Sequence, residues 1–267
     1  MNIYLELTNR FNAGRTRVIL SSGQAVVFHR LAIMSKDGDW IVREDDEALS
    51  YILQVLERAG ARYRFGAPLD KRWLAGGWSA HFEFSDKALR IRTDFVSRPP
   101  RIGLQRLSAM WKDAEESDLP VVGLEDLAEL KKTNREKDYA IIGELSRKMA
   151  TLESRVRYSR SAREIVAFFK KNPELVGNLM MVRGIDRDAL KTIDALETAL
   201  DAERRRLMHM NERRLTRYLE AARQWSECWK RVEYAVQGLP LRQAHGMLCK
   251  EATGVLPFTL DPGTDHE

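Results

Sequence analysis

The sequence predicts an α+β protein, in which a mixed sheet flanked by helices is followed by an all-helical C-terminal domain. In the first half, short strand-like segments interleave with amphipathic helical segments, without the strict alternation of a parallel α/β sheet. From Thr133 to the break at residues 238–240, no segment has a convincing strand pattern. We therefore expect a first domain at residues 1–150 and a helical domain at residues 151–267, and a chain of 267 residues is long enough for both.

The elements of the first half follow from apolar spacing and from β-branched runs. Leu49, Ile52, Leu53 and Leu56 recur at intervals of three and four before Gly60, which predicts a helix. Two alternating segments, SAHFEFS and ALRIRTDFV, are separated by Asp-Lys, which predicts a hairpin. The predicted helices are residues 2–11, 24–33, 47–60, 101–116 and 124–132. The predicted strands are residues 16–22, 39–45, 61–66, 79–85, 88–96 and 119–123.

The second half is predicted to be helical. Thr133 with Glu136 three residues later is a capping-box pattern and predicts a helix that begins after Thr133. Residues 186–237 contain no Gly or Pro, so they form either one long helix or two helices that meet near residues 209–211. The apolar stripe that includes Trp225 and Trp229 is expected in the core rather than on a base-stacking surface. The acidic tail, residues 261–267, is expected to fray.

Composition sets broad limits on function. The net charge is +5 and the pI is near 9.2, with charges of both signs interspersed. This balance permits a polyanionic partner such as RNA and is equally compatible with a solvated surface. The two cysteines have no metal-ligand spacing, which argues against a structural zinc site or a disulfide framework. We expect a cytoplasmic protein with no membrane partner, since no window approaches the ~18 apolar residues of a membrane span. The sequence identifies no protein partner.

Two acids in the stretch SKDGDW, Asp37 and Asp39, are the first candidates for chemistry. On local evidence alone, Asp-Gly is typical of a surface turn. If the segment begins a strand, residues i and i+2 project both carboxylates from one face, where they repel each other unless a cation lies between them. Asp94 lies on the more polar face of another predicted strand. Three such carboxylates brought together would suit Mg²⁺ or Mn²⁺.

A second candidate is the turn Ser22-Gly23, where a predicted strand enters a predicted helix. Backbone N–H groups and hydroxyls at such a turn form a phosphate-binding geometry. The same residues are also compatible with a plain strand-to-helix turn.

The order of these features resembles the nucleotidyltransferase superfamily, of the polymerase-β-like fold. Its signature is a hydrophobic strand, a Gly-Gly or Gly-Ser turn, about a dozen residues of helix and loop, and then Asp-x-Asp on the next strand. A third carboxylate follows on a later strand. In this sequence the features are Ser22-Gly23, Asp37-Gly38-Asp39 and Asp94. The resemblance spans roughly residues 15–150.

A later segment, LEDLAELKKTNREKDYAIIGEL, resembles the helical segment that closes many small members of that superfamily. Such members often carry a lysine shortly before an R-x-K-D run. Lys131 and Lys132 take that place here, followed by Arg135, Lys137 and Asp138. The pattern is similar to the branch that contains the AbiEii-type toxins and related small nucleotidyltransferases.

The resemblance implies an enzyme that transfers a nucleoside monophosphate from a nucleoside triphosphate to an acceptor hydroxyl. By this analogy Asp37, Asp39 and Asp94 are catalytic and hold Mg²⁺ or Mn²⁺. Ser22, Gly23, Lys131 and Lys132 contact the nucleotide. The basic helices favour RNA as the acceptor, although a solvated face explains them equally well.

Two departures from the family pattern motivate an alternative function. The turn is Ser-Gly, and Gly38 stands between the aspartates where the family usually has an apolar residue. Glycine weakens a strand interior. The alternative is a catalytically silent binding or regulatory module of the same fold, similar to an antitoxin.

Overall fold

The computed structural model describes residues 2–260 and confirms the predicted α+β class, with a mixed sheet flanked by helices and a helical C-terminal region. The sheet has five strands in the order β1-β2-β5-β4-β3. Strands β2 and β5 pair in parallel, whereas the other three pairs are antiparallel. The strands are β1 (Val18–Ser21), β2 (Asp37–Val42), β3 (Arg62–Tyr63), β4 (Ala80–Asp86) and β5 (Leu89–Val96).

Thirteen α-helices accompany the sheet in the described residues. Those of the first half are α1 (Ile3–Phe11), α2 (Ser22–Phe28), α3 (Asp46–Arg58), α4 (Lys71–Leu74), α5 (Leu104–Glu115), α6 (Leu124–Leu130) and α7 (Glu136–Lys148). Those of the second half are α8 (Leu152–Tyr158), α9 (Ala162–Lys171), α10 (Pro173–Val182), α11 (Ile193–Ala221), α12 (Arg223–Ala235) and α13 (Leu241–Ala252). A 3₁₀ helix spans Arg187–Lys191.

One face of the sheet is covered by an aromatic core. Trp40 of β2 stacks on Phe95 of β5 with ring centroids 5.4 Å apart, and Phe11 of α1 meets both rings edge-on. The indole N–H of Trp40 donates to the hydroxyl of Thr8 at 2.9 Å, so its polar atom is satisfied inside the core. Burial of each such ring stabilises the folded state by about 1.5–3 kcal/mol. Helix α1 covers this face of the sheet through Phe11 and Thr8.

The C-terminal helices α12 and α13 belong to the same core. Trp225 and Trp229 are buried, as predicted, and pack edge-to-face with centroids 5.5 Å apart. Trp225 also donates its indole N–H to the carbonyl of Gly66 at 2.9 Å. Leu241 and Leu248 of α13 complete this part of the core.

The chain forms two compact units. The first unit combines residues up to Val122 with those from Thr216 onward, and the second is Gly123–Leu215. The boundaries differ from the predicted domains, because the last part of the chain returns to the core of the sheet through residues such as Trp225. The predicted boundary near residue 150 lies between α7 and α8, inside the second unit.

The second unit is helical in its described residues and has its own apolar core. Val156, Ile165, Val176 and Met180 from α8, α9 and α10 are fully buried there, together with Leu196 of α11. Alpha-helices α6 and α7 also belong to this unit. No strand occurs from Thr133 to Gly238, which confirms the predicted helical character of this stretch.

Buried charges also hold the second unit. Arg183 and Arg160 both pair with Glu203, at 2.6 Å and 2.5 Å. Arg183 donates in addition to the carbonyls of Val156 and Ser159. These contacts and the charge of Arg183 hold the pKa of Glu203 below its usual range against the opposing effect of burial. Loss of the Glu203 carboxylate would leave two buried guanidiniums without their anion.

The predicted capping box at Thr133 is wrong. Helix α7 begins at Glu136 with Arg135 as its N-cap. The Thr133 hydroxyl instead donates to Asp138 at 2.6 Å and accepts from the backbone N–H of Arg135. A charged carboxylate is a strong hydrogen-bond acceptor, so the Thr133 hydroxyl binds the buried Asp138 side chain and does not cap the helix.

Two other local predictions differ from the structure. Of the two alternatives for residues 186–237, a junction of two helices near residues 209–211 is wrong. Helix α11 is one helix of 29 residues that continues through these positions, and the break falls at Ala222, between α11 and α12. The predicted strand at residues 119–123 is reduced to a single parallel bridge between Leu20 and Val121. In the part of the chain that the structure describes, no helix is both long and apolar enough to cross a bilayer. The tail, residues 261–267, lies outside the described residues.

A half-buried histidine of α13 contacts a residue of β3. His245 Nδ1 lies 2.8 Å from the Tyr63 hydroxyl, and the two rings stack at 6.1 Å. Burial raises the pKa of Tyr63 well above its ordinary value, so the phenol keeps its proton. Burial, opposed by the charge of Asp70 and reinforced by that of Arg72, lowers the pKa of His245 below its ordinary value of 6.5.

We expect the free energy of unfolding to fall as the pH drops below 6.5. The unfolded chain then takes up a proton at His245 that the folded chain resists, so stability is complete above the unfolded pKa and is lost toward the lower folded pKa. The slope from one proton is at most about 1.4 kcal/mol per pH unit. Urea unfolding of the wild type and of His245→Gln between pH 7.5 and 5 measures it.

The matched control is His209→Gln, because the side chain of His209 is 68% exposed on α11. The control should keep the wild-type slope, whereas His245→Gln should flatten it. An unchanged slope in His245→Gln would show that His245 does not titrate on unfolding.

Candidate functional site

A row of polar residues crosses the face of the sheet opposite the aromatic core. In the strand register, Ser21 of β1 lies beside Asp39 of β2, Asp39 beside Asp94 of β5, and Asp94 beside His81 of β4. Paired residues in adjacent strands share a face, as do Asp37 and Asp39 two positions apart. The three predicted carboxylates therefore lie on one face, and Asp37-Gly38-Asp39 is the start of a strand rather than a turn.

The carboxylate of Asp37 has an unusual environment. Its Oδ1 is buried, and no group in the described residues donates a hydrogen bond to it. The guanidinium of Arg92, its neighbour in register on β5, lies 3.7 Å away. A buried carboxylate oxygen without a donor carries a desolvation cost that a bound cation would relieve.

Asp94 lies beside the His81 imidazole and the Arg64 guanidinium. His81 Nδ1 lies 2.7 Å from Asp94 Oδ1, and Arg64 Nη1 lies 3.4 Å from the same oxygen. Among the described residues, no group of three or more His, Cys, Asp or Glu side chains is arranged to hold a metal ion. The donor chemistry of Asp37 and Asp39 fits a hard divalent cation, whereas Asp94 faces His81 and Arg64.

Gly38 is required by close packing under the acid pair. A Cβ built on Gly38 would lie 2.4 Å from the ring of Trp40 and 2.4 Å from the ring of Tyr4. The aromatic rings thus occupy the space of the apolar residue that the family pattern has at this position. Tyr4 also donates its hydroxyl to the carbonyl of Lys36 at 2.6 Å, which holds the chain just before Asp37.

The Ser22-Gly23 turn is tight and adjoins the polar row of Ser21, Asp39, Asp94 and His81, called the acid row below. Ser22 has φ of 50°, a left-handed conformation that glycine adopts more readily. A Cβ on Gly23 would lie 2.2 Å from the hydroxyl oxygen of Ser35, so the turn packs directly against the segment before β2. Ser21, which precedes the turn, donates its hydroxyl to the carbonyl of Asp39 at 3.2 Å.

Lys131 and Lys132 belong to the second unit, whereas the acid row belongs to the first. The amine of Lys131 is buried and pairs with Asp138 at 3.4 Å. Lys132 pairs with Glu129 at 2.7 Å and lies over the ring of Tyr158. The contacts of Lys131 do not favour the predicted role in nucleotide binding, because its amine already neutralises a buried carboxylate.

Three residues of the acid face were not among the predicted site residues: Arg64, His81 and Arg92. His81 and Glu83 alternate with apolar residues in the segment SAHFEFS, which was a signal that both lie on the polar face. The identity of the neighbouring strand was not encoded locally. Only the register of β4 against β5 brings His81 beside Asp94.

Comparisons with known proteins add no evidence about the function of this site. No protein-family model and no curated protein matches the chain. One solved structure, described as "Crystal structure of putative nucleotidyltransferase from H. pylori", is similar over 79% of this chain and 96% of that chain. Its TM-score is 0.36 and its sequence identity is 11%, and a likeness at that level carries no argument about fold or activity.

We expect Gly38→Ala to destabilise the protein by about 1–3 kcal/mol, because the added methyl group must displace the buried rings of Trp40 and Tyr4. Urea unfolding measures the change. The control is Gly246→Ala in α13, where a Cβ meets nothing within 4 Å and a stabilising effect of up to about 1 kcal/mol is expected. Equal effects of both substitutions would contradict the packing role of Gly38.

Proposed function

We propose that this chain is a nucleotidyltransferase, which transfers a nucleoside monophosphate from a nucleoside triphosphate to an acceptor hydroxyl. The observation that carries the proposal is the parallel pairing of β2 and β5, with Asp39 beside Asp94 and Asp37 on the same face. The order of the Ser22-Gly23 turn, the Asp-x-Asp pair and a later strand-borne acid supports it. The departure at Gly38 has a structural explanation, because the rings of Trp40 and Tyr4 leave no room for a Cβ there.

Asp37 and Asp39 would hold a divalent cation, Mg²⁺ or Mn²⁺. This assignment is supported by two adjacent carboxylates and by the buried Oδ1 of Asp37, which accepts no hydrogen bond from the described residues. When bound, such a cation supplies charge neutralisation to the oxygens of the triphosphate.

Asp94 would take the proton of the acceptor hydroxyl. The hydroxyl oxygen then forms a bond to the α-phosphorus, the bond from that phosphorus to the bridging oxygen breaks, and pyrophosphate leaves. A positioned base of this kind contributes about 10²–10⁴-fold to a rate. Asp94 suits the role because it adjoins the acid pair in register and its side chain is 23% exposed.

The Ser22-Gly23 turn would contact the terminal phosphates. Its neighbour Ser21 lies beside Asp39 in register, so the turn adjoins the proposed cation site within the first unit. A nucleotide contact by Lys132 remains part of the proposal. Lys131 would first have to leave its buried pairing with Asp138.

The proposed acceptor is RNA. Helix α11 carries the densest run of basic residues, including Arg204, Arg205 and Arg206, and such a surface binds phosphate backbones. Arg204 and Arg205 also pair with Asp201, which fits the alternative of a solvated face. Membership of the branch that contains the AbiEii-type toxins is proposed from the Lys131–Asp138 motif alone. A cytoplasmic location is proposed because the low cysteine content suits a reducing compartment.

A second candidate function is a catalytically silent module of this architecture, working as a regulatory or antitoxin-like binding partner. The observation that favours it is the pairing of Asp94 with His81 and Arg64, which gives this carboxylate a structural role without any ligand.

The test is transfer of labelled nucleotide to candidate RNA acceptors in the presence of Mn²⁺. We expect the wild type to label an acceptor and Asp39→Asn to fall to background, because the amide removes one anionic oxygen from the proposed cation site. Calorimetric titration with Mn²⁺ and triphosphate follows binding independently of turnover.

Asp113→Asn is the matched control, since this acid on α5 has a side chain that is 72% exposed. It should retain wild-type labelling and binding. Wild-type protein that neither labels any acceptor nor binds Mn²⁺ with triphosphate would reject the enzyme and favour the silent module.

A further inference from the structure

Three arginines surround one buried carboxylate on the polar face of the sheet. The side chain of Glu83 in β4 is only 7% exposed. Its Oε1 accepts from Arg62 Nη2 at 2.7 Å, its Oε2 accepts from Arg90 Nη2 at 2.5 Å, and Arg64 Nε lies 3.9 Å from Oε2. Even when Asp94 is counted, which lies 3.4 Å from Arg64, two carboxylates face three guanidiniums. The arginine cluster, Arg62, Arg64 and Arg90, therefore keeps an excess of positive charge.

The strand register places this arginine cluster on the same face as the acid row. Arg62 pairs with Glu83, which is two positions from His81 of the acid row. Arg90 lies on β5 two positions before the residue that pairs with Glu83. Arg64, two positions after Arg62, donates its backbone N–H to the carbonyl of His81 at 2.9 Å. Because paired residues and residues two apart share a face, the cluster and the acid row form one continuous polar surface.

Glu83 fixes the orientation of the two most exposed arginines of the cluster. Arg62 and Arg90 each donate to it through Nε as well as Nη2, with Nε distances of 3.1 Å and 2.8 Å. Although burial acts to raise it, the pKa of Glu83 is held below its ordinary value by Arg90 and Arg62. The side chains of Arg62 and Arg90 are nevertheless 75% and 62% exposed. Two guanidiniums are thus held in place and remain open to a second anion.

The order of the strands separates the arginine cluster from the proposed nucleotide site. From one edge of the sheet to the other, the strands are β1, β2, β5, β4 and β3. The Ser22-Gly23 turn follows β1, Arg62 lies in β3 at the opposite edge, and Asp94 lies in β5 between them. Strands are about 4.8 Å apart, so β5 and β3 are separated by about 10 Å. Roughly three stacked nucleotides, at 3.4 Å each, span this distance.

We propose that the arginine cluster binds the phosphate backbone of a single-stranded RNA acceptor and positions its terminal hydroxyl near Asp94. The acceptor role of the RNA rests on the proposed function, whereas the binding requires no transfer. A polyanion complements an excess of fixed guanidiniums on an open face. The cluster belongs to the first unit, as the acid row does, whereas the arginines of α11 named above belong to the second. Phosphate contacts carry no sequence information, so the cluster positions a strand and does not select its bases.

The experiment measures binding of a fluorescein-labelled oligouridylate to the full-length chain by anisotropy, at several salt concentrations. Arg62→Gln and Arg90→Gln should each weaken binding about two- to fivefold, the size of an exposed ion pair. Each should also lower the magnitude of the slope of log K against log salt by about 0.7, the value for one phosphate of a single strand. Arg62→Lys keeps the charge and should keep the slope. Each single variant leaves Glu83 bonded to one arginine, so neither leaves the buried carboxylate without a cation.

Arg231→Gln is the matched control, because Arg231 is 70% exposed on α12 and pairs with one carboxylate, that of Glu251, at 2.9 Å. It should bind the oligonucleotide as the wild type does. In steady-state transfer, Arg62→Gln and Arg90→Gln should raise the KM for the RNA acceptor by about the same factor as they weaken binding, and leave the KM for triphosphate unchanged.

The outcomes separate the inference from the function on which it rests. Arg62→Gln and Arg90→Gln proteins that bind the oligonucleotide as tightly as Arg231→Gln would overturn the inference. A raised KM for triphosphate with an unchanged KM for RNA would also overturn it, while the nucleotidyltransferase remained. Wild-type protein that binds the oligonucleotide through Arg62 and Arg90 but transfers no nucleotide would reject the proposed function and leave the RNA-binding surface in place.

Discussion

The parallel pairing of β2 with β5 is the constraint on which the rest of this protein depends. These strands are separated by 46 residues in sequence, from Val42 to Leu89, yet their register fixes Asp39 beside Asp94. The same register places Trp40 beside Phe95 on the opposite face. A shift by one residue would turn every side chain of β2 to the other face and would lose both arrangements at once.

The two faces of this strand pair explain each other. The aromatic core holds β2 and β5 in register, because Trp40 stacks on Phe95 and is bonded to Thr8 of α1. Because Gly38 has no Cβ, the Trp40 ring can pack against the backbone at this position. Glycine weakens a strand in isolation, but here the packing of the ring stabilises strand β2. The carboxylates on the other face repel each other, and burial of the rings offsets that cost.

Patterns with a short period were predictable, since they depend on neighbours in sequence. The alternation around Asp94 and the helical spacing around Ile52 led to strand β5 and helix α3. Features that depend on a distant partner were not predictable. The Thr133 hydroxyl donates to the buried carboxylate of Asp138 instead of capping a helix. Helix α11 ends before Ala222, and Trp225 and Trp229 of the next helix pack in the core of the sheet.

By itself the sequence determined the α+β class and the place of Asp94 on a polar strand face, because period-2 alternation is a local property of the backbone. It left Asp37-Gly38-Asp39 open between a turn and a strand. Only the tertiary structure decided which strands are neighbours. It brought His81 to Asp94 from a different strand and buried Lys131 against Asp138, since strand order and burial depend on the packing of the whole unit.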